Sequence, residues 1–297
     1  MTQRWTIVGS LALLGGLGSL VWAFVAAQDP APAVRSEPDV LLGQVGGESL
    51  RMDLRLPAQG EGPFPAVLCI HGGGWVSGSR KQMAATLEVL ARRGYVAAAP
   101  DYRLAPKHRW PACLEDCKMA LRWLRAHAGR YRIDPERIGV VGLSAGGHLA
   151  CMLGMTVPAD GLEGTGGYAQ QSSAVQAVVS LAGPVNLTAT ELQTEEVLTR
   201  NLQPLLGGLP REKPDAYRQA SPLFYDPRNP PPFLLIHGSA DRVVPPGQAR
   251  ELSDHLRQLG GQGVFLELPG EGHTWAGPNL TRSIDRMLTF LDESLQR

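Results

Sequence analysis

The 297-residue chain has no surplus of charge of either sign: 28 basic residues balance 28 acidic ones. Without a basic excess it lacks the electrostatic footprint of a nucleic-acid binder, and its net charge gives no long-range pull toward acidic surfaces. Cysteine is scarce. Cys69, Cys113, Cys117 and Cys151 show no CxxC pair or other metal-ligand spacing, which argues against a structural metal site. Cys113 and Cys117 stand one helical turn apart, a poor geometry for a disulfide. Cys69 and Cys151 fall in apolar runs, so all four read as buried free thiols that behave as small hydrophobes. There is no internal repeat. The length suits one large α/β domain, and a hydrophobic content of 43% supports a sizeable core.

What is present begins with residues 5–27, an apolar run without a charge, preceded by Arg4. Val25, Ala26 and Ala27 offer small residues where signal peptidase cuts, which favours a cleaved signal peptide. The run is also long enough to span a bilayer, so a retained membrane anchor stays open. Its glycines and its lack of a polar face do not suit a helix packed on one side. Either reading carries the rest of the chain across a membrane, to the periplasm or beyond, with attachment through residues 5–27 if they are retained. Residues 28–39, rich in proline and polar side chains, read as a linker, and residues 40–297 as the folded domain.

From residue 40 onward, strand and helix signals alternate. ESLRMDLRLP (48–57) alternates polar and apolar residues, as a half-buried antiparallel edge strand does. AVLCI (66–70) is continuously apolar, as a central parallel strand is. Later strands are read in YVAAAP, IGVVG, VQAVVSLAG, FLLIH and VFLEL. Helices are read in KQMAATLEVLARRG, stopped by Gly94, in PACLEDCKMALRWLRAHAGRY, and from about residue 281 to the end. This alternation predicts a mostly parallel sheet with helices on both faces. Two stretches break it. Residues 158–173 read as a surface loop. Residues 186–225, between the sixth and seventh strands, read as a small helical insertion over the C-terminal edge of the sheet, where insertions shape binding sites.

VVGLSAGGHLA (140–150) contains Gly142-x-Ser144-x-Gly146. The motif alone is weak, but here an apolar strand leads in and an apolar helix leads out. Such a strand-to-helix turn holds its central serine in a strained conformation above the sheet and needs small neighbours. Serine requires a base. Of seven histidines, His71 and His237 end apolar strands and are expected to bond the backbone. His148 lies on the helix after the serine and points elsewhere, and His108, His127 and His255 suit solvated structural roles. His273 follows the last strand in the loop Gly270-Glu271-Gly272-His273, at the sheet end where active sites of open parallel sheets lie. Asp241, after FLLIHGSA, stands at the same end and is the carboxylate expected to orient that histidine. Asp226 precedes its strand, and Glu271 is too close in sequence to His273 to face its ring easily.

HGGGW, DYRLAP, GLSAGGHLA, HGSADRVVP and GEGH, taken in order, resemble the esterase branch of the α/β-hydrolases. Within that branch the chain is similar to bacterial carboxylesterases grouped with feruloyl and acetyl-xylan esterases, and it also resembles the hormone-sensitive lipase family. The resemblance covers residue 40 to the C-terminus. It implies an α/β-hydrolase catalytic domain, a Ser144–Asp241–His273 triad, acyl-enzyme chemistry on a small-molecule ester, and no metal or organic cofactor. An oxyanion hole would use the N–H of Ala145 with those of Gly73 and Gly74, the latter two assigned by resemblance. Leu143 and Lys107 depart from the acidic residues that hormone-sensitive lipase relatives carry there, and the first departure favours the feruloyl and acetyl-xylan branch. A formamidase or carbamate hydrolase could use the same set, and a non-catalytic ligand-binding protein could share the fold. Trp75, Tyr102 and Trp110 either flank the substrate, which for Trp75 and Tyr102 would make them binding residues, or pack. N-terminal sequencing of the mature protein is expected to begin at Gln28; detection of Met1 there would remove the cleaved reading.

Overall fold

The continuous apolar run before the three glycines is β3 (Phe64–Ile70). Ala66, Leu68 and Ile70 enter one buried cluster while Val67 and Cys69 enter another on the opposite face. A strand apolar on both sides must be covered on both sides. The chain does this around an eight-stranded sheet of order β1–β2–β4–β3–β5–β6–β7–β8. Its other strands are β1 (Val34–Val45), β2 (Glu48–Pro57), β4 (Val96–Pro100), β5 (Ile133–Leu143), β6 (Ala177–Leu181), β7 (Phe233–Gly238) and β8 (Gly263–Leu268). β1 and β2 run antiparallel to their neighbours, and β4 through β8 with β3 are parallel. This is the α/β-hydrolase fold expected from the sequence. The computed structural model describes residues 33–295. The apolar run at residues 5–27 lies outside them, and among the described residues no helix is long and apolar enough to cross a membrane.

Helices α1 (Ala84–Arg92) and α5 (Gly277–Leu295) cover one face, with Leu87, Leu90, Phe290 and Leu291 packed on Val67 and Val179. Helices α2 (Ala112–Ala126), α3 (Ala145–Met155) and α4 (Gly247–Gln258) cover the other, through Leu121, Leu149 and Leu252 among others. Full burial of each such side chain contributes about 1.5–3 kcal/mol, so the two layers fix the sheet. Cys69, Cys113, Cys117 and Cys151 are free and buried.

Three expectations need correction. ESLRMDLRLP lies one strand in from the edge, and its Leu50, Met52, Leu54 and Leu56 are buried. The edge is β1, so residues 34–39, read as linker, belong to the sheet. Its polar composition and Pro38 hid it, since proline is tolerated only where a strand's N–H groups are not all needed. Register shifts between Glu37 and Val40 and between Leu41 and Gly43 absorb the irregular Asp39, at φ 61°. The last helix begins at Gly277, one turn before the expected start.

The insertion takes the predicted place between β6 and β7, as short helical pieces at Glu195–Val197, Leu198–Leu202, Gln203–Leu206 and Pro214–Gln219. Trp110 anchors it, its N–H donating to the Leu205 carbonyl at 2.9 Å and its indole to Gln219 Oε1 at 3.0 Å. The DYRLAP loop after β4 is fixed from beneath. Arg103 donates from its backbone N–H and its guanidinium to Asp116 of α2, whose side chain is 1% exposed. Burial pushes the Asp116 carboxyl up, and the Arg103 contacts oppose that. Arg103→Met should therefore leave a buried carboxylate without its ion partner and destabilise the protein by about 3–5 kcal/mol, read from urea unfolding. Adding Asp116→Leu should return most of that loss; a single variant as stable as the parent would refute the ion-pair account.

Candidate active site

β5 ends in Leu143 and α3 begins at Ala145, so the turn between them is one residue long. Ser144 sits there at φ 54°, ψ −118°. A non-glycine residue held in a sparsely populated backbone region stores roughly 1–3 kcal/mol of strain and needs over-determining contacts. They are present: the Ser144 N–H donates to the Leu181 carbonyl at 2.8 Å, and its own carbonyl accepts from His148 N–H at 2.9 Å. The flanking glycines are required by space. A Cβ on Gly142 would lie 2.0 Å from the Gly146 carbonyl oxygen, and one on Gly146 would lie 2.1 Å from that of Ile70.

His273 and Asp241 arrive on the loops after β8 and β7. These loops are bound together, Ala240 N–H donating to the Glu271 carbonyl at 2.8 Å and Gly270 N–H to Ser239 Oγ at 2.8 Å. His273 Nε2 lies 2.8 Å from Ser144 Oγ, and its Nδ1 lies 2.7 Å from Asp241 Oδ2. Asp241 Oδ1 accepts from the N–H groups of Val243 and Val244 at 2.8 and 3.0 Å, and Oδ2 also meets His237 Nε2 at 3.1 Å. Burial alone would push the Asp241 carboxyl up. The hydrogen bonds from His237, His273 and Val244 outweigh it and hold the group far below the usual carboxylate range. The structure thus brings the three sequence candidates into one hydrogen-bonded line. The rivals are elsewhere: Asp226 pairs with His255 at 3.0 Å, and Glu271 accepts from Asn279 at 2.8 Å.

The three glycines pass directly beside the serine, a Cβ on Gly72 lying 3.4 Å from Ser144 Cβ. His71 Nδ1 donates to the Gly72 carbonyl at 2.7 Å, and the Gly73 carbonyl accepts from Ser77 N–H at 3.1 Å and Ser77 Oγ at 3.0 Å. In a trans peptide the C=O and the next N–H point in opposite directions. Pinning these two carbonyls therefore turns the N–H groups of Gly73 and Gly74 away from the loop. Among the described residues those two N–H groups and that of Ala145 have no hydrogen-bond acceptor. Gly73, at φ 112°, leaves no space for a side chain: its Cβ would meet the Ser77 carbonyl oxygen at 2.2 Å.

Trp75 and Tyr102, candidates for binding substrate, are 4% and 3% exposed and act as braces in this structure. Tyr102 stacks on His71, ring centroids 4.2 Å apart, and donates to the His71 carbonyl at 3.2 Å. Trp75 donates to His148 Nδ1 at 3.1 Å, and His148 Nε2 donates to Ala220 of the insertion at 2.6 Å. His148 does point away from Ser144, as expected, and joins the glycine loop, α3 and the insertion. Asn201 was not singled out from the sequence, because nothing in its polar surroundings marks it. Its amide donates to the Gly74 carbonyl at 3.3 Å, and a Cβ on Gly74 would lie 1.9 Å from that nitrogen. No group of three or more His, Cys, Asp or Glu side chains among the described residues is arranged to hold a metal ion.

Burial lowers the His148 pKa from 6.5 to about 4, against the opposing Ala220 contact. The unfolded chain then binds a proton that the folded chain does not as pH falls between these values. Stability should decline over that window, with His148 contributing up to about 1.4 kcal/mol per pH unit. His148→Asn should remove that share of the slope in denaturant unfolding at pH 6.5 and pH 4; an unchanged slope would contradict it.

Residues 52–256 match the profile of the BD-FAE family. Esterase LipC of Mycobacterium tuberculosis is 37% identical over 227 residues, covering 71% of this chain and 53% of LipC. The chain spans about half the length of the curated relatives it matches. A solved carbohydrate esterase from gut microbiota, in truncated form, superposes with a TM-score of 0.77 at 29% identity, covering 90% of this chain and 98% of that one. The esterase Est2 of Thermogutta terrifontis superposes with a TM-score of 0.72 at 26% identity, covering 89% and 92% of the two chains, and has also been solved with propionate and with butyrate bound.

Proposed function

Because the chain belongs to the BD-FAE family, in the esterase branch of the α/β-hydrolases, we propose that it hydrolyses carboxylic esters through an acyl-enzyme on Ser144. The observation that carries this reading is the bridging position of His273, 2.8 Å from Ser144 Oγ on one side and 2.7 Å from Asp241 on the other. Ser144 Oγ attacks the ester carbonyl as His273 Nε2 takes its proton. Asp241 holds the ring in the tautomer that leaves Nε2 free to accept, and stabilises the imidazolium that forms. The tetrahedral oxyanion is received by the N–H groups of Gly73, Gly74 and Ala145; each such donor is worth about 3–4 kcal/mol to the transition state. His273 then protonates the leaving alcohol, and water repeats the sequence on the acyl-enzyme. This chemistry uses no metal or organic cofactor.

The substrate is a small or short-acyl ester. The Asn201–Gly74 contact brings the insertion to the edge of the site, and the propionate and butyrate complexes of Est2 supply the analogy for chain length. The apolar run at residues 5–27 supports export to the periplasm or beyond.

Ser144→Ala should lose turnover of p-nitrophenyl acetate and butyrate by at least about 10³-fold while keeping its circular dichroism and melting temperature. A fluorophosphonate probe should label the parent at Ser144 and leave the variant unlabelled. Substantial residual turnover in Ser144→Ala would sink the assignment, and a folded parent that resists the probe would favour a ligand-binding protein. In a panel of acetate, butyrate, decanoate, acetylated xylan and formamide substrates, the short esters should be fastest. Faster turnover of formamide than of acetate esters would shift the reading to a small-amide hydrolase.

A further inference from the structure

His237 is the penultimate residue of β7 and is fully buried. Its Nε2 faces two acceptors, Asp241 Oδ2 at 3.1 Å and the Val244 carbonyl at 2.8 Å. Its Nδ1 is buried without a hydrogen-bond partner among the described residues. Two acceptors before Nε2 and none before Nδ1 assign the ring proton to Nε2. For packing alone the imidazole is an unfavourable choice, since a buried polar atom left unpaired is destabilising and an apolar side chain would carry none. What the imidazole supplies is the Nε2–H. That proton is aimed at the same oxygen, Oδ2, that receives His273 Nδ1 at 2.7 Å, while Oδ1 is filled by the Val243 and Val244 N–H groups.

We infer that His237 is a positioning residue of this site: its Nε2–H shares Asp241 Oδ2 with His273, fixes that oxygen against the Val244 turn, and moderates how strongly Asp241 holds the His273 proton. The inference rests on the reading of Ser144, Asp241 and His273 as the reacting set. Few other charges bear on the pair. Arg242 beside Asp241 is exposed, Glu271 is turned to Asn279, and Glu267, opposite His237 on β8, is exposed and paired with Arg250 at 3.2 Å. Removing the His237 donor leaves Oδ2 a stronger acceptor toward His273. The His273 imidazolium is then better stabilised, so its proton should leave at higher pH.

The test follows the His273 ring by NMR in histidine-labelled full-length protein, assigned with His273→Gln. In His237→Phe, which keeps a planar ring but no donor, the His273 midpoint should rise by about half to one pH unit. The acidic limb of kcat/KM should rise with it, and kcat should fall by about 10- to 100-fold. His237→Gln, whose amide can still donate, should return both midpoints close to the parent. A merely structural role would lower the melting temperature in Phe and Gln alike and leave the midpoints in place. An unmoved or lowered midpoint in His237→Phe, or a Gln variant that behaves like Phe, would overturn the inference. Should His237→Phe fail to fold, His237→Asn, too short to reach Oδ2, takes its place under the same two outcomes. If Ser144→Ala still hydrolyses esters, the proposed chemistry fails, while the NMR midpoints still decide the role of His237.

Discussion

The backbone of β3's end and the turn at Ser144 lie against each other with no room for a side chain between them. Gly146 faces the Ile70 carbonyl, and Gly72 faces Ser144 itself. This backbone-on-backbone contact sets the distance between a hydroxyl and a row of N–H groups before any substrate is present. Fixed donors that need not reorganise are the form of electrostatic stabilisation worth most in a water-poor site. The helices on both faces serve it indirectly. They hold β3 and β5 at their register, and the register carries the serine and the glycines to the same level of the sheet.

Around that contact the chain places imidazoles as braces. His71 turns the Gly72 carbonyl, His148 receives Trp75 and reaches Ala220, and His237 holds Asp241. Each has one ring nitrogen that donates to a fixed oxygen, so each is set in one tautomer by its neighbours. Burial lowers the pKa of His71 and of His148. Kept neutral by burial, these two rings add directional hydrogen bonds to the site without adding charge to it. His148 shows the use most fully, spanning Trp75 and Ala220 from opposite edges of one rigid plane.

How much of this was legible in the sequence follows the range of the interactions. The parallel strands showed because β3, β5, β6 and β7 are apolar on both faces, a local signal. Ser144, Asp241 and His273 showed because each stands just past a strand in a glycine-marked turn. β1 did not show, since its polar edge carries Pro38 and a bulge in place of alternation. Trp75 and Tyr102 are aromatic residues beside a catalytic-type motif, and nothing local distinguishes a side chain that meets substrate from one that supports the loop from behind. His148 was read as turned away from Ser144 and His237 as bonded to backbone, yet a partner of His148 comes from 73 residues away and His237 meets the Asp241 side chain as well as the Val244 carbonyl. Asn201 touches Gly74 across 127 residues, and no periodicity encodes a contact of that span.

The same division separates what the fold constrains from what it leaves open. Serine, histidine, carboxylate and amide donors sit on strand ends and turns, and a Cβ on Gly73, Gly142, Gly146 or Gly238 there would meet backbone oxygen at 2.0–2.2 Å. The insertion meets that frame through Asn201 to Gly74, Leu205 and Gln219 to Trp110, and Ala220 to His148, seats Leu202, Leu205 and Tyr217 in the core, and is built from short helical pieces including a π-helical turn at Leu198–Leu202. Irregular helical turns of that kind are frequent at functional sites, where they re-aim side chains without altering the surrounding frame. The donors and the serine cannot move without breaking the backbone contact on which both depend, whereas the insertion lies outside that contact. Under the proposed reading, the chemistry is therefore written in the rigid strand ends, and the insertion that leans on them is left to shape what reaches Ser144.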